Sequence, residues 1–95
     1  MNFQELKQKR AEIISIAERN GGRKVRIFGS LARGESGVAS DVDFLIELEP
    51  GRSLLNILAI KQDLEDLLQR NVDVVTESAV SPYIKDDVIR EAVSL

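Results

Sequence analysis

Asp41 and Asp43 stand two residues apart in Ser40-Asp41-Val42-Asp43-Phe44-Leu45-Ile46, a stretch whose other residues suit a strand. If Asp41 to Leu48 is a strand, both carboxylates lie on one face of a sheet and Val42, Phe44, Ile46 and Leu48 lie on the other. Carboxylates held that close repel unless a proton or a cation sits between them. Magnesium takes a few carboxylate oxygens together with water and substrate phosphates, so it is the natural guest. The bland alternative is a solvated strand end whose aspartates face water. Upstream, Phe28-Gly29-Ser30-Leu31-Ala32-Arg33-Gly34 closes an apolar strand and opens a short helical turn. Gly29 and Ser30 thereby bring unpaired backbone N–H groups and a hydroxyl to one point, an arrangement that binds phosphate. A phosphate cradle followed ten residues later by paired acids points to metal-assisted chemistry on a phosphate.

The elements that must position these groups follow from the hydrophobic pattern. Asn2 to Arg19 reads as a helix, with Asn2 as cap, Glu5 three residues on, and an apolar stripe of Phe3, Leu6, Ile13, Ile14 and Ala17. Asn20-Gly21-Gly22 ends it as a left-handed cap and turn; no second half of a nucleotide-binding glycine motif follows. Lys24 to Ile27 alternates as a strand, Gly34 to Ser40 reads as a loop beside the site, and Asp41 to Glu49 is the second strand, turned by Pro50-Gly51. Ser53 caps a long helix whose stripe is Leu54, Ile57, Leu58, Lys61, Leu64, Leu67 and Leu68, with Lys61 its one polar member. Val72 to Thr76 is the third strand. Ser81 caps and Pro82 starts a last helix, from which Ile84, Val88, Ile89 and Ala92 would cover the sheet.

Ser30 follows the end of strand one, while Asp41 and Asp73 open strands two and three. These positions meet at one sheet edge only if strands one and two are antiparallel and strands two and three parallel, which a short connection and a helical crossover respectively favour. The expected fold is α/β (α+β), a three-stranded mixed sheet flanked by about four helices. Residues 1–95 are expected to make one domain, since 43% hydrophobic content supplies one core and no more.

Composition removes several classes of chemistry. With no cysteine and no histidine, the chain has no disulfide, no usual zinc site, no thiol nucleophile and no imidazole base. Acid–base work must fall to carboxylates or to a partner. A net charge of −3 and four aromatic residues argue against direct nucleic-acid binding. No apolar run approaches a membrane span and no basic, apolar leader follows Met1, so no membrane association and a cytoplasmic location are expected.

Gly29-Ser30, ten residues, then Asp41-x-Asp43 resembles the signature of the polymerase-β-like nucleotidyltransferase superfamily. Leu31-Ala32-Arg33-Gly34-Glu35 with Ser40 narrows the resemblance to the minimal nucleotidyltransferases, small antitoxins paired with HEPN-domain toxins. It extends over nearly the whole chain, because Val72-Asp73-Val74-Val75-Thr76 is similar to the family's third-carboxylate strand and Val88-Ile89-Arg90-Glu91-Ala92-Val93 to its closing helix. The resemblance implies a polymerase-β-like fold, with ATP as substrate and two Mg2+ ions held by Asp41, Asp43 and Asp73. It also implies a phosphate grip by Gly29 and Ser30, and transfer of AMP to a hydroxyl, a tyrosine, on a HEPN ribonuclease toxin. Asp73 could instead be a solvent-facing edge residue. Arg33 is placed with the cofactor-binding residues through the triphosphate, with a structural ion pair as the equal alternative; Glu35 and Tyr83 are weaker candidates. Two other functions stay open: a small-molecule nucleotidyltransferase of the antibiotic-modifying kind, and a docking antitoxin without catalysis.

Overall fold

Helices α1 (Phe3–Gln8) and α2 (Arg10–Arg19) lead into strand β1 (Gly22–Phe28), followed by β2 (Val42–Leu48), α3 (Leu54–Leu68) and β3 (Val72–Val75). A 3₁₀ turn over Glu77–Ala79, then α4 (Lys85–Glu91) and a two-residue strand β4 (Val93–Ser94), come last in the order. The computed structural model describes residues 2–29, 31–33 and 41–95; Ser30 and the Gly34 to Ser40 loop lie outside them. Among the described residues no helix is long and apolar enough to cross a membrane.

The sheet runs β3-β2-β1-β4, with β1 and β2 antiparallel and β2 and β3 parallel, as the connections predicted. Alternation sets its two faces. Val25 and Ile27 of β1, Val42, Phe44 and Ile46 of β2, and Val72 and Val74 of β3 are buried against Leu6, Ile13, Ile16 and Ala17 of the first two helices and Ile57, Ile60, Leu64 and Leu68 of α3. The opposite face carries Arg26, Asp43, Leu45, Asp73 and Val75.

Four expectations need correction. The first helix is two, because Lys9 tightens the backbone: its N–H bonds the Leu6 carbonyl three residues back while its own carbonyl already accepts from Ile13. The Asn2 cap is present, Oδ1 accepting from the Glu5 N–H at 2.9 Å. The Ser53 cap of α3 is also present, but the buried stripe is Ile57, Ile60, Leu64 and Leu68, leaving Leu54 71% and Leu58 51% exposed. Lys61 lies off that stripe and bonds Glu65 at 2.9 Å. The last helix begins at Lys85 after a turn, ends at Glu91, and has no fully buried side chain; Ile84 is half-exposed. Finally, the sheet has four strands, since Val93 leaves the predicted helix to pair with Ile27, and Ser94 with Arg26. The unpaired edge of β1 offers backbone partners there that one more helical turn would not use.

The chain from β3 to β4 crosses the Asp43 face of the sheet and is tied to it by a partly buried ion pair. Arg26 Nη1 lies 2.9 Å from Glu77 Oε1, with the arginine side chain only 16% exposed. Its Nε donates to the Lys24 carbonyl at 3.3 Å, while buried Nη2 has no hydrogen-bond partner among the described residues. Removing the acid strands a largely buried guanidinium, whereas removing the cation leaves the 42% exposed Glu77 carboxylate, which water can solvate. Glu77→Gln should therefore destabilise the fold by about 1–2 kcal/mol, and Arg26→Met by less, in urea unfolding at neutral pH.

Candidate active site

The carboxyl-bearing end of the sheet is set by two ladders. Antiparallel pairing puts Phe28 opposite Asp43, so β1 ends and Gly29 turns at that aspartate. Parallel pairing puts Asp43 directly beside Asp73, with Val42 beside Val72 and Phe44 beside Val74 on the buried face. Asp73 thus stands next to Asp43, as the alternation of Val72, Asp73 and Val74 required. Asp41 lies just before the first residue of β2 and is exposed, one residue short of the predicted strand.

Gly29 has φ +77°, a left-handed conformation that favours glycine, and a Cβ built there would collide with Asp43 Oδ2. The turn therefore closes directly onto the carboxylate. It continues as one helical turn, the Arg33 N–H donating to the Gly29 carbonyl at 3.2 Å. The hydroxyl assigned to the cradle, Ser30, is outside the described residues.

Asp43 is the perturbed acid. Half-buried, its carboxyl is pushed from the ordinary 3.8 to about 6, first by burial, then by the charges of Asp73 and Asp41 and a hydrogen bond with Asp73. The charge of Arg33 opposes the rise. Two acids side by side at one end of the sheet form a donor set that a divalent cation fits, since its charge would offset their repulsion. Among the described residues, no three acidic side chains converge as a ready ligand set. The fit is one of chemistry and register: Asp43 and Asp73 are paired and Asp41 is near enough for its charge to act on Asp43.

Three further side chains position this end and had little or no sequence signal. Glu65 of α3 accepts from Lys61 Nζ at 2.9 Å and from the Val72 N–H at 3.1 Å, fixing the residue before Asp73; these bonds hold its carboxyl below the usual range. Lys61 inside an apolar helix pattern was the only hint. Arg33 bonds Glu91 of α4 through Nη1 at 3.2 Å, the ion pair anticipated as one of its two roles. The residue pattern placed Glu91 in the closing helix but gave it no part in the site. Tyr83 is 94% exposed and away from packing.

A cleft of about 490 Å³ lies at the other end of β1, lined by Arg10, Glu18, Arg23, Lys24, Glu49 and Leu95 among others. It mixes cations and anions without paired acids. The aspartate end is preferred because burial, register and a perturbed acid coincide there.

Known proteins share this fold and sequence pattern. The chain matches the family model described as "Nucleotidyltransferase domain" over residues 6–95. It is 41% identical over 95 residues to "Putative protein adenylyltransferase MJ0435" of Methanocaldococcus jannaschii, covering 100% of this chain and 99% of the relative. It is also 41% identical over 78 residues to "Protein adenylyltransferase MntA" of Thermococcus cleftensis, covering 82% and 79%. Among solved structures, one described as "Structure of putative minimal nucleotidyltransferase" superposes with a TM-score of 0.89 at 41% identity, covering 100% of this chain and 97% of that one. Another, "Crystal structure of the toxin-antitoxin with AMP-PNP", shares the fold with a TM-score of 0.75 at 21% identity, covering 88% and 69%.

Ionised Asp43 opposes folding, because its folded pKa lies above the unfolded value. Below about pH 4 the group is protonated in both states and the penalty is absent; it grows as pH rises through about 6 and is complete at neutral pH. Allowing for partial solvent screening, Asp43→Asn should raise stability by about 1 kcal/mol at pH 7 and by little near pH 4. Urea unfolding of both proteins across that range measures the difference. Gly29→Ala should lower stability at both pH values by about 1 kcal/mol or more, through the left-handed backbone and the displaced carboxylate.

Proposed function

The chain belongs to the nucleotidyltransferase-domain family, and from that premise we propose that it is a magnesium-dependent protein adenylyltransferase. It would move AMP from ATP to a tyrosine hydroxyl of a HEPN-type ribonuclease toxin, and so act as that toxin's antitoxin. The single observation that supports this most is Asp43 held beside Asp73 with the Gly29 turn closed against it. Names of relatives point the same way: protein adenylyltransferases in sequence, and a toxin–antitoxin pair bound to an ATP analogue in fold.

Asp41, Asp43 and Asp73 would hold the magnesium ions. Bound there, such ions neutralise charge on the entering and leaving oxygens of a phosphoryl transfer. The chain's own residues do the rest. The Gly29 turn, with Ser30, would take the β- and γ-phosphates on backbone N–H groups and a hydroxyl, and Arg33 would face the same charge. In the reaction the acceptor oxygen forms a bond to the α-phosphorus, the bond from that phosphorus to the bridging oxygen breaks, and pyrophosphate leaves. The hydroxyl proton passes to a carboxylate. Asp73, exposed beside Asp43, would serve as that base in a chain without histidine.

The fold gives little of itself to an acceptor. Most of the described residues lie in four helices and a small sheet, so orientation of the hydroxyl would come from the surface that carries it. This favours a protein acceptor over a small molecule. Docking without catalysis remains the second reading, and it separates from the first in one experiment.

With the toxin, ATP and magnesium, the toxin should gain about 329 daltons per AMP, the mass of one nucleoside monophosphate added with loss of pyrophosphate. A chelator should abolish the gain, and so should Asp41→Ala combined with Asp43→Ala. No gain, with toxicity still neutralised by that double variant, would favour docking.

A further inference from the structure

We propose that Glu91 is a positioning residue for the nucleotide site: it holds the Arg33 guanidinium at the rim where Gly29 meets Asp43, ready for the phosphates. The inference rests on the nucleotidyltransferase reading and gives a role at the site to Glu91, a residue that the resemblance includes only as part of its closing helix.

Register places Glu91 there. The β1–β4 ladder pairs Arg26 with Ser94 and Ile27 with Val93. Past the ends of both strands, Gly29 follows Phe28 on one side and Glu91 closes α4 just before β4 on the other. Gly29 starts the turn that carries Arg33, closed by the Arg33 N–H to Gly29 carbonyl bond. The short ladder thus brings the end of α4 to the side of β1 where the phosphate turn begins. The contact follows: Arg33 Nη1 to Glu91 Oε2 at 3.2 Å, both side chains about half-exposed. Arg33 also acts electrostatically on Asp43, so its charge lies between the acid of the sheet and the acid of the helix.

An arginine on a surface turn has several rotatable bonds, and a ligand that captures it must first restrict them. Glu91 supplies that restriction before the ligand arrives, which is preorganisation of a binding group. A half-exposed ion pair is worth little to folding, so its effect should appear in affinity rather than in stability.

Calorimetric titration of the full chain with magnesium and a non-hydrolysable ATP analogue tests this in four proteins: wild type, Glu91→Gln, Arg33→Gln and the double variant. Glu91→Gln should weaken binding roughly two- to fivefold, the range of a half-exposed pair, with no matching loss in thermal stability. Arg33→Gln should weaken it at least as much, and the double variant no further, because Glu91 acts only through Arg33. Glu91→Asp, which keeps the charge on a shorter arm, should recover part of the loss. Inorganic tripolyphosphate should give the same order, since the contact is with phosphate. Unchanged or tighter binding by Glu91→Gln, or losses that add in the double variant, would overturn the proposal while leaving the nucleotide reading standing. A wild type that binds neither probe would overturn both.

Discussion

Asp43 and Asp73 lie directly side by side across a parallel ladder, and keeping two carboxyls there against their repulsion is the constraint around which the rest is arranged. Left to themselves the strands could slip by one residue and separate the acids. The other face prevents it. Val42 pairs with Val72 and Phe44 with Val74 on either side of the two acids, and all four are buried against the helices. Each such side chain contributes about 1.5–3 kcal/mol on burial, so the four together outweigh a repulsion of one or two kcal/mol several times over. A one-residue slip of β3 against β2 would turn Val72 and Val74 outward. The hydrophobic face therefore fixes the spacing of the acids, and the Glu65 bond to the Val72 N–H holds the end of β3 in place.

Strain of this kind belongs at a site that expects a visitor. A fold selected only for stability would replace one acid with an amide, yet here burial, Asp73 and Asp41 all push Asp43 the same way. The backbone adds to this at Gly29, left-handed and without room for a Cβ. Both features lie where β1 ends and β2 begins, so a ligand that relieves them acts on two strands together.

The alternation of β2 and β3, the caps Asn2 and Ser53, and the antiparallel and parallel connections were legible because each rests on short-range rules: period, capping chemistry and crossover length. So were Asp43, Asp73 and Gly29, whose placement follows from those strands. Three kinds of feature were not legible. Lys9 breaks the first helix by a local tightening that no residue type announces. The pattern puts Leu54 and Leu58 on the buried stripe of α3, but a leucine reads the same whether or not a neighbouring element covers it, and among the described residues these two stay largely exposed. The path after β3 depended on tertiary pairing: Val93 fits a helix or a strand, and the open edge of β1 decides for the strand. The part of Glu91 in the site was unreadable for the same reason, since its position is inherited from that pairing.

Strand β1 carries one residue too many for its partner. Between the Arg23–Glu47 and Arg26–Leu45 pairs, β1 spends two residues where β2 spends one, and Lys24 takes up the difference with φ +53°. Arg23 and Lys24 therefore both point outward, where each finds Glu47, at 3.1 and 3.3 Å. The bulge works as a phase shifter. Gly22 is buried in step with the end of α2, while Val25 and Ile27 are buried in step with the main core, and these two rhythms differ by one residue. Without the extra residue, one half of the strand would be inverted: either Arg26 would be driven among the helices and Ile27 onto the acidic face, or the start of the strand would lose its seat under α2. A lysine that touches nothing catalytic thus sets the parity of the strand that ends at Gly29, and with it the direction from which the turn meets Asp43.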